Sequence, residues 1–179
     1  MERHLTGQQV RTVLAIAKAK GEASASEALR HYFSSSDCAL LVEMSEQWLD
    51  IPYVKDRERV VRDALAAHRS GQYTLSIPAL LPLADGLSAE IAGSWAGNQN
   101  VVKALARDWK TREPEVWTDV YVDVVTDVIY QCYDFAKDPA PYLSRNGILH
   151  GRVADYGTEL NSLRVWLLVD CVADLWRQY

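Results

Sequence analysis

Apolar residues recur every three or four positions along most of this chain, the period of a helix with one buried face. Val10, Val13, Leu14 and Ala17 open the pattern, the Ala-rich stretch Glu22 to Phe33 continues it, and Ala39 to Leu49 carries it on. Ser34-Ser35-Ser36-Asp37 separates the last two stretches, and Asp37 is the expected N-cap of the second. Pro52 disfavours helix at Ile51 and breaks the chain there. The pattern predicts a strong helix from Val54 to Arg69, stopped by Ser70-Gly71. Another is expected from Ser76 to Ile91, with Ser76 as N-cap, Pro78 in the first turn and a kink at Pro82. Gly93 to Asn98 reads as a loop and Val101 to Trp109 as a short helix. Glu113-Pro114-Glu115 opens a long helix to about Ala136, with Trp117, Val120, Tyr121, Val124, Val128 and Cys132 as its apolar stripe. Asp138-Pro139-Ala140-Pro141 ends it, Arg145 to Gly157 reads as irregular or half helical, and Asn161 to Trp176 forms the last helix. No stretch alternates as a half-buried strand does. The expected architecture is an all-α, up-and-down helical bundle, with residues 1–52 as an N-terminal helical extension and residues 53–179 as the main helical domain.

Composition narrows the class. The chain has 179 residues, 49% of them hydrophobic and 24% charged, a balance that buries a core and differs from that of a disordered tail. Lys and Arg number 19 against 24 Asp and Glu, a net charge of −5. That argues against a broad basic face wrapped by nucleic acid, while leaving room for a small pocket that holds one phosphate. Cys38, Cys132 and Cys171 are scattered and form no Cys-x-x-Cys pair, so they read as core residues in a reducing cytoplasm. Met1 to Thr6 lack the apolar core of a signal segment, and Val165 to Val169, the longest strongly apolar run in this reading, is far short of a membrane span. The expectation is a cytoplasmic protein with no membrane segment.

Several chemistry-bearing motifs are absent: no phosphate-binding loop, no dinucleotide-binding Gly-x-Gly-x-x-Gly, no His-Glu-x-x-His and no Gly-x-Ser-x-Gly. Gly93 to Gly97 lacks the Lys-Ser/Thr of a phosphate loop and reads as a connector. His4, His31, His68 and His150 lie in four different segments, none beside a cysteine or another histidine at ligand spacing. No cofactor and no metal is expected. Asp119, Asp123 and Asp127 share one helix face, which reads as a solvated face opposite the apolar stripe, ahead of a metal-binding stripe or a surface for a basic partner.

Residues 142–163 stand out. They follow a double-proline break, hold three glycines, and concentrate Arg145, Asn146, His150, Arg152, Asp155, Tyr156, Thr158 and Asn161 between apolar helices. Arginine grips phosphate through a fixed fork of donors, histidine gives or takes a proton near neutral pH, and asparagine orients either. Such a set requires no metal to cleave RNA, because RNA carries its own nucleophile, the 2′-hydroxyl. On a regular helix, residues five apart point about 140° away from each other. Arg145 and His150 therefore converge on one phosphate only if Gly147 loosens the turn or if two protomers share a cleft.

Arg145-Asn146-Gly147-Ile148-Leu149-His150 resembles the Arg-x4–6-His motif of HEPN domains, including the polar residue after the arginine. Ala64 to Gly71, Tyr73 to Pro82 and Asp85-Gly86-Leu87 look like the paired first helices of abortive-infection-like members. His150-Gly151, Asp155 to Thr158 and Asn161 to Leu163 look like their closing segment. The resemblance spans roughly residues 53–179. It implies a small α-helical bundle, a homodimer with the site at its interface, and metal-independent endoribonuclease activity in toxin–antitoxin or antiphage defence. By the same resemblance Arg145, His150 and Asn146 are the catalytic candidates, Arg152 and Tyr156 the RNA-contacting ones, and Asp85 the supporting carboxylate. Two positions depart from the pattern. Asp85 stands where many members carry a longer glutamate, and Arg152 stands where toxins paired with nucleotidyltransferase antitoxins carry tyrosine. Modification of that tyrosine is accordingly not expected. The alternative reading is a catalytically inert HEPN-like dimerisation and binding module that docks an antitoxin or defence-complex partner. A second match to the spacing, Arg62 and His68, lies inside a regular helix and reads as a pair of helix-surface residues.

Overall fold

The computed structural model describes residues 19–94, 98–112, 122–131 and 142–178. These residues are all-α: helices, turns and loops, with no strand among them. In chain order the helices are α1 (Glu22–Ser34), α2 (Ala39–Trp48), α3 (Pro52–Lys55), α4 (Glu58–Arg69), α5 (Tyr73–Ala92) and α6 (Asn98–Arg112). A π-helix (Val124–Ile129), α7 (Arg145–Leu149) and α8 (Glu159–Gln178) follow.

The bundle is organised around α5, which packs against α4, α6 and α8. Its sequence explains that position. Ile77, Leu80, Leu81, Leu83, Ala84 and Leu87 are all buried, and a helix that is apolar around most of its circumference belongs in the middle of a bundle. With 20 residues and a mean hydropathy of 1.3, α5 is long and apolar enough to cross a membrane. The apolar run at Val165–Val169 is therefore not the limiting one. Here 61% of that window is buried against other helices.

Helix α5 starts at Tyr73, three residues earlier than the sequence pattern suggests. Gly71 adopts φ +71°, a conformation open to glycine, and turns the chain directly from α4 into α5. Ser76 is consequently not an N-cap but a fully buried residue within the helix. Both Pro78 and Pro82 lie inside α5. Pro78 has no N–H for the Thr74 carbonyl four residues back, and the Tyr156 hydroxyl donates to that carbonyl instead (3.2 Å). Asp37 is not an N-cap either. Ser36, Asp37 and Cys38 all have positive φ (51°, 58° and 61°), Cys38 occupies the cap position, and the Asp37 carboxylate pairs with Arg69 of α4.

Residues on either side of the expected boundary at 52/53 enter one hydrophobic core. Phe33, Leu41, Met44 and Trp48 are fully buried together with α5 and α8 residues. Trp48 of α2 stacks on Trp166 of α8, with ring centroids 5.0 Å apart, and its Nε1–H donates to Asp170 Oδ1 at 2.8 Å. Truncating so large a buried ring costs about 3–5 kcal/mol, so α2 is a structural part of the bundle. On α8, Asp174 accepts from Arg177 one turn along the same helix (2.8 Å).

Most of the long helix expected from Glu113 to Ala136 lies outside the described residues. The part that is described differs from the expectation: it is π-helical from Val124 and ends at Tyr130, six residues early. The run Val122, Val124, Val125, Thr126, Val128, Ile129 is nearly all β-branched, which crowds a regular α-turn. The Tyr130 N–H reaches back five residues to the Val125 carbonyl (3.0 Å), and this wider turn aims Tyr130 into the bundle.

Candidate active site around Arg145

Asp85 lies on the buried side of α5, with 4% of its side chain exposed. A carboxylate so placed must be paired to stay ionised. Its Oδ2 accepts from Arg145 Nε (2.9 Å) and Nη2 (2.5 Å), and its Oδ1 accepts from the Tyr130 hydroxyl (2.5 Å). Arg145 Nη1 donates to Asn146 Oδ1 at 3.0 Å. The shorter aspartate thus reaches the motif arginine, because α7 packs directly on α5. The next residue, Gly86, has its own steric requirement. A Cβ there would sit 1.6 Å from the Tyr53 hydroxyl oxygen. Burial, together with the neighbouring Glu90 and Asp85 charges, pushes the Tyr53 hydroxyl above its usual range against the opposing Arg57, which keeps it protonated.

Local sequence also shapes the five-residue α7. Ser144 adopts extended backbone and its Oγ accepts from the Gly147 N–H (3.1 Å). At the other end Gly151 takes φ +68°, its N–H bonds to the Ile148 carbonyl (3.1 Å), and the Arg152 N–H bonds to the Gly147 carbonyl (2.7 Å). Gly147 does not loosen the turn: the His150 N–H keeps the regular bond to the Asn146 carbonyl (3.0 Å). Arg145 therefore turns towards Asp85, with 25% of its side chain exposed, while His150 sits exposed at the C-cap. Among the described residues, the His150 side chain makes no hydrogen bond.

The rest of the segment fastens it to α5. Tyr156 is half-buried against the core with its hydroxyl on the Thr74 carbonyl, and a Cβ at Gly157 would meet Thr74 Cγ2 at 2.4 Å. Asn161 is buried. Its Nδ2 donates to the Tyr156 carbonyl (3.0 Å) and its Oδ1 accepts from Arg164 (3.0 Å), while its N–H is capped by Thr158 Oγ1 (3.2 Å). Arg152 and Asp155 are exposed. The structure thus gathers Arg145, Asn146 and Asp85 into one hydrogen-bonded group, leaves His150 and Arg152 at the surface beside it, and uses Tyr156 as a clasp.

The second motif match behaves differently. His68 is buried, correcting the expectation of a surface residue. Its Nδ1 lies 2.8 Å from Ser162 Oγ, which donates in turn to Ser76 Oγ (3.1 Å). Tyr73 and Trp166 meet its ring edge-on, and burial lowers its pKa, with the Glu159 charge acting in the opposite sense. Arg62 remains at the surface, paired with Glu58 (2.6 Å) and Glu46 (3.1 Å).

Of the acidic stripe, Asp123 and Asp127 are exposed, and Asp119 lies outside the described residues. Cys38 is buried and Cys171 half-buried, while Cys132 lies outside. Among the described residues no three His, Cys, Asp or Glu side chains come together as a metal site. Sequence reasoning missed Tyr130, Ser144 and the His68–Ser162–Ser76 chain. Tyr130 and Asp85 are 45 residues apart, so no local pattern marks their contact. Compared with known proteins, the chain matches no family model, no curated protein and no solved structure.

Proposed function

We propose that this chain is a metal-independent endoribonuclease of the HEPN type, acting in the cytoplasm as a toxin or antiphage-defence effector. One observation carries the reading. Arg145 is held from below by a buried carboxylate, and the same five-residue helix ends in an exposed histidine. Three of the five guanidinium N–H groups are used within the chain, which leaves two for a phosphate.

In this reading the RNA 2′-hydroxyl attacks the adjacent phosphorus, the bond to the 5′ oxygen breaks, and a 2′,3′-cyclic phosphate and a 5′-hydroxyl remain. His150 takes the proton from the nucleophile or gives one to the leaving oxygen. Arg145 stabilises the charge that grows on the phosphoryl oxygens. Asn146 keeps the guanidinium turned, and Arg152 contacts the RNA backbone. A homodimer that places two such groups across one cleft doubles the guanidinium donors offered to one phosphate, which an acidic chain otherwise lacks.

The test is induction of wild type, Arg145→Ala and His150→Ala in a bacterial host at equal soluble levels, followed by purified protein on RNA in EDTA. Growth arrest and cyclic-phosphate-ended fragments are expected from wild type alone. Intact RNA with wild type, in cells and in EDTA, overturns the reading.

A second reading has its own observation. The ion pair between Asp85 and Arg145 is satisfied within one chain, and Asp123 and Asp127 are exposed, as suits an inert module that docks a basic partner. Reversing the charges of Asp119 and Asp123 then weakens partner capture, while Arg145→Ala leaves it intact.

A further inference from the structure

We propose that Tyr130 is a positioning residue of this site, its buried hydroxyl fixing the Asp85 carboxylate so that Asp85 presents a single oxygen to Arg145. The inference rests on the reading of Arg145 as the phosphate-binding group. The two carboxylate oxygens have separate duties. Oδ1 takes the Tyr130 hydroxyl (2.5 Å), and Oδ2 takes both Nε and Nη2 of Arg145 (2.9 and 2.5 Å). A carboxylate facing an arginine alone is free to turn and offer both oxygens in a fork. With Oδ1 held by the tyrosine, the guanidinium plane is set by Oδ2 on one edge and by Asn146 Oδ1 at Nη1. The remaining donors are then aimed before any anion arrives, and preorganised donors act on developing charge without reorganising first.

The backbone supports this role. Tyr130 is 1% exposed, so its hydroxyl is sealed from RNA and reaches the site through Asp85. It stands directly after the π-helix Val124–Ile129, and its own N–H closes that helix on the Val125 carbonyl. A π-turn inserts one residue into the helical register, a feature that recurs at functional sites. Here it delivers the tyrosine to a carboxylate 45 residues back in the chain.

The experiment compares wild type with Tyr130→Phe, which keeps the ring and removes only the hydroxyl, by two readouts. The first is the Arg145 Nε–H signal in a proton–nitrogen correlation spectrum, assigned with Arg145→Lys. The second is RNA cleavage in EDTA, with the melting temperature as a control on folding. The expected result is a protected Arg145 signal in wild type that exchanges at least tenfold faster in Tyr130→Phe. With it comes a fall in kcat of about 10- to 100-fold at a KM within twofold. Asp85→Asn should reproduce the signal change. A merely structural role would lower the melting temperature while leaving the exchange of the folded protein's Arg145 unchanged. An unchanged Arg145 signal in Tyr130→Phe overturns the proposal. If wild type cleaves no RNA, the ribonuclease reading fails by itself, and the exchange readout still decides whether Tyr130 positions the pair.

Discussion

Arg62 and His68 lie on one unbroken helix, whereas Arg145 and His150 lie at the two ends of a five-residue one. Both pairs satisfy the same spacing, yet the fold treats them oppositely. On α4 the six-residue separation turns the side chains about 120° apart. Arg62 meets water and two surface glutamates, and His68 is sealed in the core. On α7 the arginine points inward to a buried carboxylate and the histidine stays outside. What separates them is what lies beneath. Under α7 is Asp85, a charged partner that captures the arginine. Under α4 are Ser162, Ser76 and Trp166, which receive a neutral imidazole. A spacing motif therefore acquires chemical meaning from the residue on the neighbouring helix.

The sharpest way to break this comparison is to truncate each arginine. Arg145→Ala is expected to reduce RNA cleavage about 100- to 1000-fold, the usual cost of a donor aimed at transition-state charge. Arg62→Ala is expected to leave the rate within twofold, since its ion pairs are solvent-exposed and made to Glu46 and Glu58, neither of which has a part in the proposed step. Cleavage rates at matched protein concentration decide it, and an equal loss in both variants would sink the distinction.

Stability should rank the two regions the other way. His68→Ala removes a sealed ring and leaves a cavity, at a cost of about 2–4 kcal/mol. Asp85→Asn leaves Arg145 without its charged partner, but that side chain is 25% exposed and water replaces part of the loss. The cost there is about 1–2 kcal/mol. Urea unfolding of both variants reads the order. A lower midpoint for Asp85→Asn than for His68→Ala would show that the buried carboxylate, not the sealed histidine, anchors the bundle.

The elements were legible in the sequence where local rules suffice. The Ala-rich period gives α1 almost to the residue, Ser70-Gly71 stops α4, and the glycines and prolines of 145–157 mark a segment only half helical. Arg145 and Asn146 were legible because the motif is local, and Asp85 because it belongs to the same resemblance. Local rules failed wherever tertiary contact overrode them. Ser76 looks like a cap by its proline two residues on, but its burial against Ser162 decides its place. His68 looks like a surface residue because Arg62, Asp63 and Arg69 surround it in sequence, though α8 covers it in space. Tyr130 carries no local signature at all, because its register depends on a π-turn and its partner on a distant helix.

The smallest expected effect concerns pH, and it isolates the sealed region. Burial lowers the His68 pKa in the fold, against 6.5 for an ordinary histidine, with Glu159 partly opposing. As pH falls through about 6.5, the unfolded chain takes up a proton on this residue before the folded chain does. Stability from His68 is thus present above that range and is lost progressively below it, down to the lowered folded value. One proton sets an upper bound on the slope of about 1.4 kcal/mol per pH unit. Among the described residues the Ser162 hydroxyl, Tyr73 and Trp166 meet the ring, and the Glu159 charge acts on it. Wild type should therefore lose denaturant midpoint between pH 7.5 and pH 5, and His68→Gln should lose less over the same range. Parallel curves for the two proteins would mean that the imidazole takes its proton without leaving the core, and the Ser162–Ser76 pair would then be a rearranging partner for a charged ring.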